Sequence, residues 1–519
     1  VQGTVFDAVT GRTLQGATVR HASGGTGSAV TDGAGRFQLP SVSIRWKGPP
    51  PSAGASGWGI LALGSFLSEG QSAYDAAGRL QTPGRAIAQP MIPVPSNATA
   101  GAEGEPFSKP PTPAARLASG ASVPGSCLLA LEAPGYKPRE ANCTDGGNDT
   151  VSLVPETAAR YYHRQPVQAG DGWTPGDVRS AFPDPGPLLD LMDSLAARRY
   201  REVHSLLVIK GGRLVLEEYY KGNADTIDFG NGIRRVPLGP IHWGRTGKHY
   251  IASATKSISG IITGMALEKG GKPVTTPLAR ILPGYQGRFT GAKADITVEH
   301  ALTMTLGLEW DEWTGRDLAD MWRAGDVGAY ALAKPMAAAP GAQWIYNSAG
   351  PNLLMASVET LAGSPAERFA AENLFAPLGI TDFRWGRQPG GQAEGSARMF
   401  MRPRDLAKLG QLCLEGGEWQ GRRIVPADWV AASTRTHKSA RPKSPYDYGY
   451  LWWIRRIRTP KGAEVDYYQA EGDGGQYIVV FPAHDMVLVS TGGNYSDHGT
   501  YDSQMVRMLS RHVAPALGL

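Results

Sequence analysis

Between Ser41 and about Ser126 the chain is dominated by Pro, Gly, Ala and Ser. Such a composition buries little apolar surface and orders poorly. The stretch therefore reads as loop, a mobile surface insertion or a binding loop, rather than as part of a core. The 519 residues allow two to four domains at roughly 100 to 200 residues each.

Upstream of the stretch, Gly3 to Val9, Ala17 to His21 and Arg36 to Leu39 read as short strands punctuated by Gly, Asp and Thr, the pattern of a small β-sandwich. The segment from Glu156 to Pro185 carries Pro and Gly without sustained periodicity and reads as a linker. After it, Leu188, Leu189, Leu191, Met192 and Leu195 form a helical face. Ser205 to Lys210 and Arg213 to Tyr220 form a hairpin around Gly211-Gly212. Helices are predicted over Ser253 to Lys269, Asn352 to Ala362, Pro365 to Leu374 and Pro403 to Leu414. Gln476 to Phe481 and Met486 to Ser490 read as a second hairpin, and Ser503 to Ala514 as a closing helix. This order predicts an antiparallel sheet covered by helices, with a helical insert.

Basic and acidic residues number 52 and 47, a net charge of +5. The basic residues are scattered rather than striped, which gives no footprint for nucleic acid. No apolar run approaches the roughly 18 residues of a membrane-spanning helix. The first residue is Val1 and no charged, then apolar, leader follows, so an export signal is expected to be absent or already removed. Of the three cysteines, Cys127 and Cys143 are spaced to bridge one hairpin or to remain two buried thiols. Cys413 falls in an apolar helical pattern and reads as a buried structural thiol.

Ser253-Ala-Thr-Lys256 opens a predicted amphipathic helix whose Ile258, Ile261, Ile262 and Met265 can pack inward, and Gly270-Gly271 closes it. An offset of three residues puts both side chains on one face. A serine hydroxyl is a weak nucleophile until a base takes its proton, and a buried lysine can be that base. The motif alone fits equally an ordinary serine N-cap followed by a solvated lysine. Tyr346-Asn347-Ser348 sits in a turn before a helix, where polar groups can face a cleft. Glu471-Gly-Asp-Gly-Gly475-Gln476 precedes an apolar strand, and its glycines allow close backbone approach or a plain hairpin turn. No His-x-x-x-His or His-Glu-x-x-His pairing suggests a metal, and no Gly-x-Ser-x-Gly suggests an α/β-hydrolase.

Ser-x-x-Lys, a tyrosine turn and a Gly-rich strand start, in this order, resemble the penicillin-recognising serine hydrolases. His204 to Tyr219, Ile296 to Leu308, Tyr448-Gly-Tyr-Leu-Trp-Trp453 and Gly474-Gly-Gln476 resemble the β-lactamase-related family of class C β-lactamases, esterases and nylon-oligomer hydrolases. The likeness covers about Gly172 to His512. It implies that Ser253 is the acylated nucleophile, Lys256 its proton acceptor and Tyr346 the partner acid or base, with the N–H groups of Ser253 and Gln476 as the oxyanion hole. Gly474, Gly475, Asn347, Trp310, Asp311 and Trp313 are the expected substrate-binding residues, and no metal or cofactor is expected. Two departures stand out. Ser348 rather than Asn is third in the second motif, and Asp473-Gly474-Gly475 stands where β-lactamases carry Lys-Thr-Gly, which removes the cation for a β-lactam carboxylate.

Gly3-Thr-Val-Phe-Asp7, Gly16-Ala-Thr-Val19, Gly35-Arg-Phe-Gln-Leu39 and Ala133-Pro-Gly-Tyr136 resemble the carboxypeptidase regulatory-like domain, an immunoglobulin-like sandwich. The expected organisation is therefore that sandwich over 1–155 with an insertion at about 41–126, a linker over 156–185, and a β-lactamase-like α/β domain over 186–519. The expected activity is hydrolysis of a carboxylic ester or small amide. The alternatives are a D-amino-acid peptidase acting on cell-wall peptides, or a non-catalytic binding protein using the sandwich. The resemblance implies a bacterial periplasmic or secreted location and a small-molecule substrate; oligomeric state is left open.

Overall fold

A computed structural model describes residues 2–7, 13–21, 28–39, 126–144, 148–155, 165–228, 234–440 and 446–519. The Pro- and Gly-rich insertion lies outside the described residues up to Ser126, where a strand begins. Around it are two four-stranded sheets. One is ordered Arg36–Gln38, Gln2–Asp7, Asn148–Pro155, Tyr136–Lys137; the other is ordered Ser28–Val30, Thr18–His21, Ser126–Glu132, Arg139–Thr144. Val5, Phe37 and Leu153 of the first join Val19, Leu129 and Leu131 of the second in one buried cluster. Segments before the insertion pair with segments after it: Gln2–Asp7 runs parallel to residues 148–153, and Thr18–His21 antiparallel to residues 129–132. The pairing register sets Cys127 opposite Cys143.

The larger unit is built on an eight-stranded antiparallel sheet. Its strands, numbered along the chain, are β1 (Val203–Lys210), β2 (Arg213–Tyr219), β3 (Lys438–Ser439), β4 (Asp447–Tyr448), β5 (Trp453–Arg458), β6 (Glu464–Gly472), β7 (Gln476–Phe481) and β8 (Met486–Gly492). Their spatial order is β2-β1-β8-β7-β6-β5-β4-β3. Both faces are covered, which is why β7 reads as an unbroken apolar run. Tyr477, Val479 and Phe481 pack under helices α1 (Gly186–Ala196) and α5 (His498–Met508). Ile478 and Val480 face α2 (Ala254–Gly270), α3 (Ala349–Ala362) and α4 (Pro403–Leu414). This is the expected sheet, with its helical insert.

Several expectations are corrected by packing. Helix α2 is not amphipathic: every residue from Ala254 to Leu267 is buried, as expected of a helix crossing the middle of a core. Its hydroxyls bond to neighbouring backbone, Ser257 to Leu451 O at 2.6 Å and Ser259 to Gly395 O at 2.8 Å. Of the expected linker, residues 165–185 pack against the larger unit. Trp173 is buried in its core and donates its indole N–H to Arg404 O, while Gly176 N donates to Leu214 O and Leu214 N to Thr174 O. The buried Arg404 pairs with Asp171 at 2.9 Å and with Glu217 at 2.6 Å. The closing helix starts five residues early because the Asp497 side chain accepts from Thr500 N and caps it. The predicted helix from Pro365 continues beyond Ala370 as a π-turn over Ala371–Phe375. Cys413 is buried and free, and burial pushes its thiol up to about 12.

Candidate active site

Ser253 stands at the N-cap of α2 with φ −63° and ψ −12°, yet its side chain makes no capping bond. Its Oγ instead meets Lys256 Nζ at 3.0 Å. Lys256 is only 1% exposed, and its Nζ also donates to Ser396 O at 3.1 Å. The ordinary alternative of a capping serine and a solvated lysine is therefore not what the chain adopts. The α2 N-terminus adds positive partial charge beside the serine. Ala252, just before it, holds φ at +45°, a conformation disfavoured for residues with a Cβ.

Tyr346 completes the group. It is buried, Lys256 Nζ lies 4.9 Å from its ring centroid, and the Ser253 and Lys256 side chains both act on its phenol. Burial raises the phenol above its usual 10, against the pull of the Lys256 charge. The ring stacks on Trp453 at 5.7 Å and on Trp313 at 5.5 Å, with Trp344 and Tyr448 closing the aromatic wall. Trp313 is 63% exposed, an apolar ring held out in solvent over the tyrosine.

The end of β6 forms the other wall. A Cβ on Gly472 would lie 2.1 Å from Ile251 O and 3.1 Å from Ala254 N, so this backbone touches the residues on either side of Ser253. The β5–β6 pairing stops at Trp453↔Gln469, while β6 runs on to Gly472. Ala470 to Gly472 therefore extend past β5 beside Ser253, and no Lys or Arg lies on that strand end.

The β-lactamase family model matches residues 190–496, more than half of the chain. The chain belongs to the β-lactamase family. The expected membership of the β-lactamase-related serine hydrolases is thus shown for this region. The monacolin J acid methylbutanoyltransferase of Aspergillus terreus is 31% identical over 161 residues, covering 27% of this chain and 38% of that protein. The match thus spans little more than a third of that relative. An uncharacterized protein of Alkalihalophilus pseudofirmus is 21% identical over 311 residues, covering 55% of this chain and 82% of its own. A family VIII carboxylesterase shares the fold with a TM-score of 0.50 at 17% identity, over 63% of this chain and 97% of that one.

Within the β-lactamase-family domain, several residues expected to contact substrate also make structural bonds. Asn347 is buried, and its carboxamide oxygen accepts from Ala349 N and Gly350 N, both at 2.9 Å, capping α3. Asp311 shapes a turn: it accepts from Thr314 N and Oγ1, bonds that hold its carboxyl below the usual range. Trp310 packs edge-on to Tyr330 and donates to Glu312. Gly474 and Gly475, with φ of +90° and +93°, form the buried turn between β6 and β7 under Tyr495 and Tyr501. Gln476 is the cross-strand partner of Gly472, and its carboxamide donates to Gly492 O at 2.6 Å. The strand end beside Ser253 is 470–472, upstream of the segment expected to stand for Lys-Thr-Gly, because 473–475 forms the hairpin turn. Asp473 itself accepts from Ser496 N.

Sequence reasoning passed over Gly472 and Glu312. Glu312 accepts from Ser348 N at 3.1 Å, Ser348 Oγ at 2.5 Å and Trp310 Nε1 at 2.6 Å, tying the Trp313 segment to the tyrosine turn. The double glycine of Glu471-Gly-Asp-Gly drew attention to the turn rather than to the strand end before it. Among the described residues, Glu471, His498 and Asp502 lie close enough to share a cation. Arg455 already fills that role, 3.4 Å from Glu471 and 2.9 Å from Asp502, and the donor set fits an ion-pair network rather than a metal site.

Proposed function

We propose that this chain hydrolyses a carboxylic ester or small amide through an acyl-enzyme on Ser253. The observation that carries the reading is the 3.0 Å contact between Ser253 Oγ and the buried Lys256 Nζ, with Tyr346 beside both. Lys256 takes the serine proton as Oγ attacks the carbonyl carbon. The Tyr346 phenol, kept protonated by burial, passes a proton to the departing alcohol or amine and is restored through Lys256. The carbonyl oxygen, now an anion, is held by the backbone N–H of Ser253 and of Gly472, which takes the place expected for Gln476. Each such donor typically contributes about 100- to 1000-fold in rate. Water then attacks the acyl-enzyme and releases the acid.

The strand end 469–472 reads Gln-Ala-Glu-Gly and offers no cation to hold a substrate carboxylate. This weighs against penicillins and against cell-wall peptides ending in a free acid. A second reading, transfer of the acyl group to an alcohol instead of water, is favoured by the match to the methylbutanoyltransferase. In both readings the two N-terminal sheets form a carboxypeptidase regulatory-like sandwich attached to a periplasmic or secreted bacterial enzyme.

Intact mass after exposure to a fluorophosphonate, a short-chain nitrophenyl ester and a penicillin tests the proposal. The expected result is one phosphonyl adduct lost in Ser253→Ala, Ser253-dependent ester turnover and no penicillin adduct. A stable penicillin adduct would move the substrate to cell-wall peptides. No adduct with any of the three would leave a binding protein.

A further inference from the structure

Lys256 and Tyr346 come from different elements, and their mutual placement requires a common support. Lys256 Nζ is bonded by Ser396 O. Two residues after Tyr346, Ser348 O accepts from Asn352 Nδ2 at 2.9 Å. Both lines meet at Glu394, whose residue is fully buried. One carboxylate oxygen accepts from Asn352 Nδ2 at 2.8 Å and from the Ser396 hydroxyl. The other accepts from Ala397 N at 2.6 Å and Arg398 N at 3.0 Å. Asn352 Oδ1 in turn accepts from Gly395 N at 2.9 Å. The 394–398 turn is thus wound around one carboxylate, with the Ser396 carbonyl aimed at Lys256.

All four partners of this carboxylate are donors. A carboxylate accepts from all of them, whereas a glutamine would turn its NH₂ against either Asn352 Nδ2 or two backbone N–H groups. A buried charge is costly to keep unless it is fully bonded, as this one is.

We propose that Glu394 is a positioning residue for catalysis, holding Lys256 through the Ser396 carbonyl and Tyr346 through Asn352. The proposal rests on the reading of Ser253, Lys256 and Tyr346 as the catalytic group. The ionisable groups around the lysine are Ser253 and Tyr346, with Glu312 and Tyr448 acting on the tyrosine from beyond it. Those acting with the carboxylate are Arg398 and Tyr250.

The test measures kcat and KM against pH with a nitrophenyl ester for wild type, Glu394→Gln, Glu394→Asp, Asn352→Ala and Ser253→Ala, each scaled to its folded fraction. Glu394→Gln is expected to lower kcat by about 10- to 100-fold, inside the roughly 100- to 10,000-fold supplied by positioned acid–base groups, with KM little changed. Glu394→Asp, which keeps a carboxylate that accepts at both oxygens, is expected to recover most of the lost kcat. Asn352→Ala, which removes the link to the tyrosine turn, is expected to lower kcat with KM little changed. Wild-type kcat in Glu394→Gln, or a loss that Glu394→Asp does not relieve, overturns the proposal. If Glu394→Gln does not fold, wild-type kcat in Asn352→Ala overturns it instead. Undiminished turnover in Ser253→Ala would sink the catalytic reading itself, separately from the role of Glu394.

Discussion

Gly472→Ala isolates the contact between the end of β6 and the start of α2. The residue is not in a left-handed conformation, so alanine adds a methyl group without backbone strain. That methyl would stand 2.1 Å from Ile251 O, where real contacts are essentially never under 3.0 Å. The strand end or the 251–254 segment must therefore give way by about 1 Å. A misplacement of about 1 Å costs roughly 100-fold in rate, or about 2.7 kcal/mol of activation free energy. The expected result is a kcat lowered by about two orders of magnitude on a nitrophenyl ester, with KM nearly unchanged. Chemical denaturation alongside, with Leu409→Ala as a core-destabilised control distant from the site, separates lost stability from lost geometry. A folded Gly472→Ala with kcat within about threefold of wild type would refute the argument that this backbone bears on the reacting carbonyl.

Lys256→Met should keep most of the buried volume and lower the rate of fluorophosphonate labelling by about 100-fold or more; near-normal labelling would remove the lysine from the role of base. Tyr346→Phe preserves the stacked ring and should lower turnover far more than substrate affinity, read as a fall in kcat at nearly constant KM. Trp313→Ala, at a 63% exposed position, should change stability by less than about 0.5 kcal/mol while raising KM for aryl esters more than for acetyl esters. Equal effects on both ester classes would remove the indole from substrate recognition. Arg404→Met strands two carboxylates and should cost about 3 to 5 kcal/mol in urea unfolding. Burial opposes ionisation of Glu217, but Arg404 outweighs it and holds the carboxyl below its usual range. That stabilisation is present above the ordinary glutamate pKa and is lost as pH falls through the lower folded value, so the deficit of Arg404→Met should shrink in acid. An unchanged deficit from neutral to acid pH would contradict this linkage.

Local pattern alone was enough for the β1–β2 hairpin, α1, α4 and the β7–β8 hairpin, because each carries a continuous apolar signal between Gly or Pro stops. The Ser253–Lys256 pair was legible for a similar reason: a helix fixes the geometry of residues three apart whatever surrounds it. Whether that serine capped or reacted, and whether the lysine was wet or dry, was not legible. Both depended on α2 being buried on all sides by strands and helices distant in sequence.

Periodicity in the chain marks the elements of the larger unit, and short motifs with their family resemblance single out Ser253, Lys256 and Tyr346 as candidates for nucleophile, base and partner acid. The tertiary structure alone decided which polar residues face the site. Asn347, Asp311 and Gln476 carry the right chemistry, but each spends its hydrogen bonds on a helix cap, a turn or a strand end. Gly472 and Glu394 have no motif to announce them. Their placement comes from the register of β6 against β7 and from a carboxylate wrapped by its own turn, and such long-range pairings leave no periodic trace in the chain.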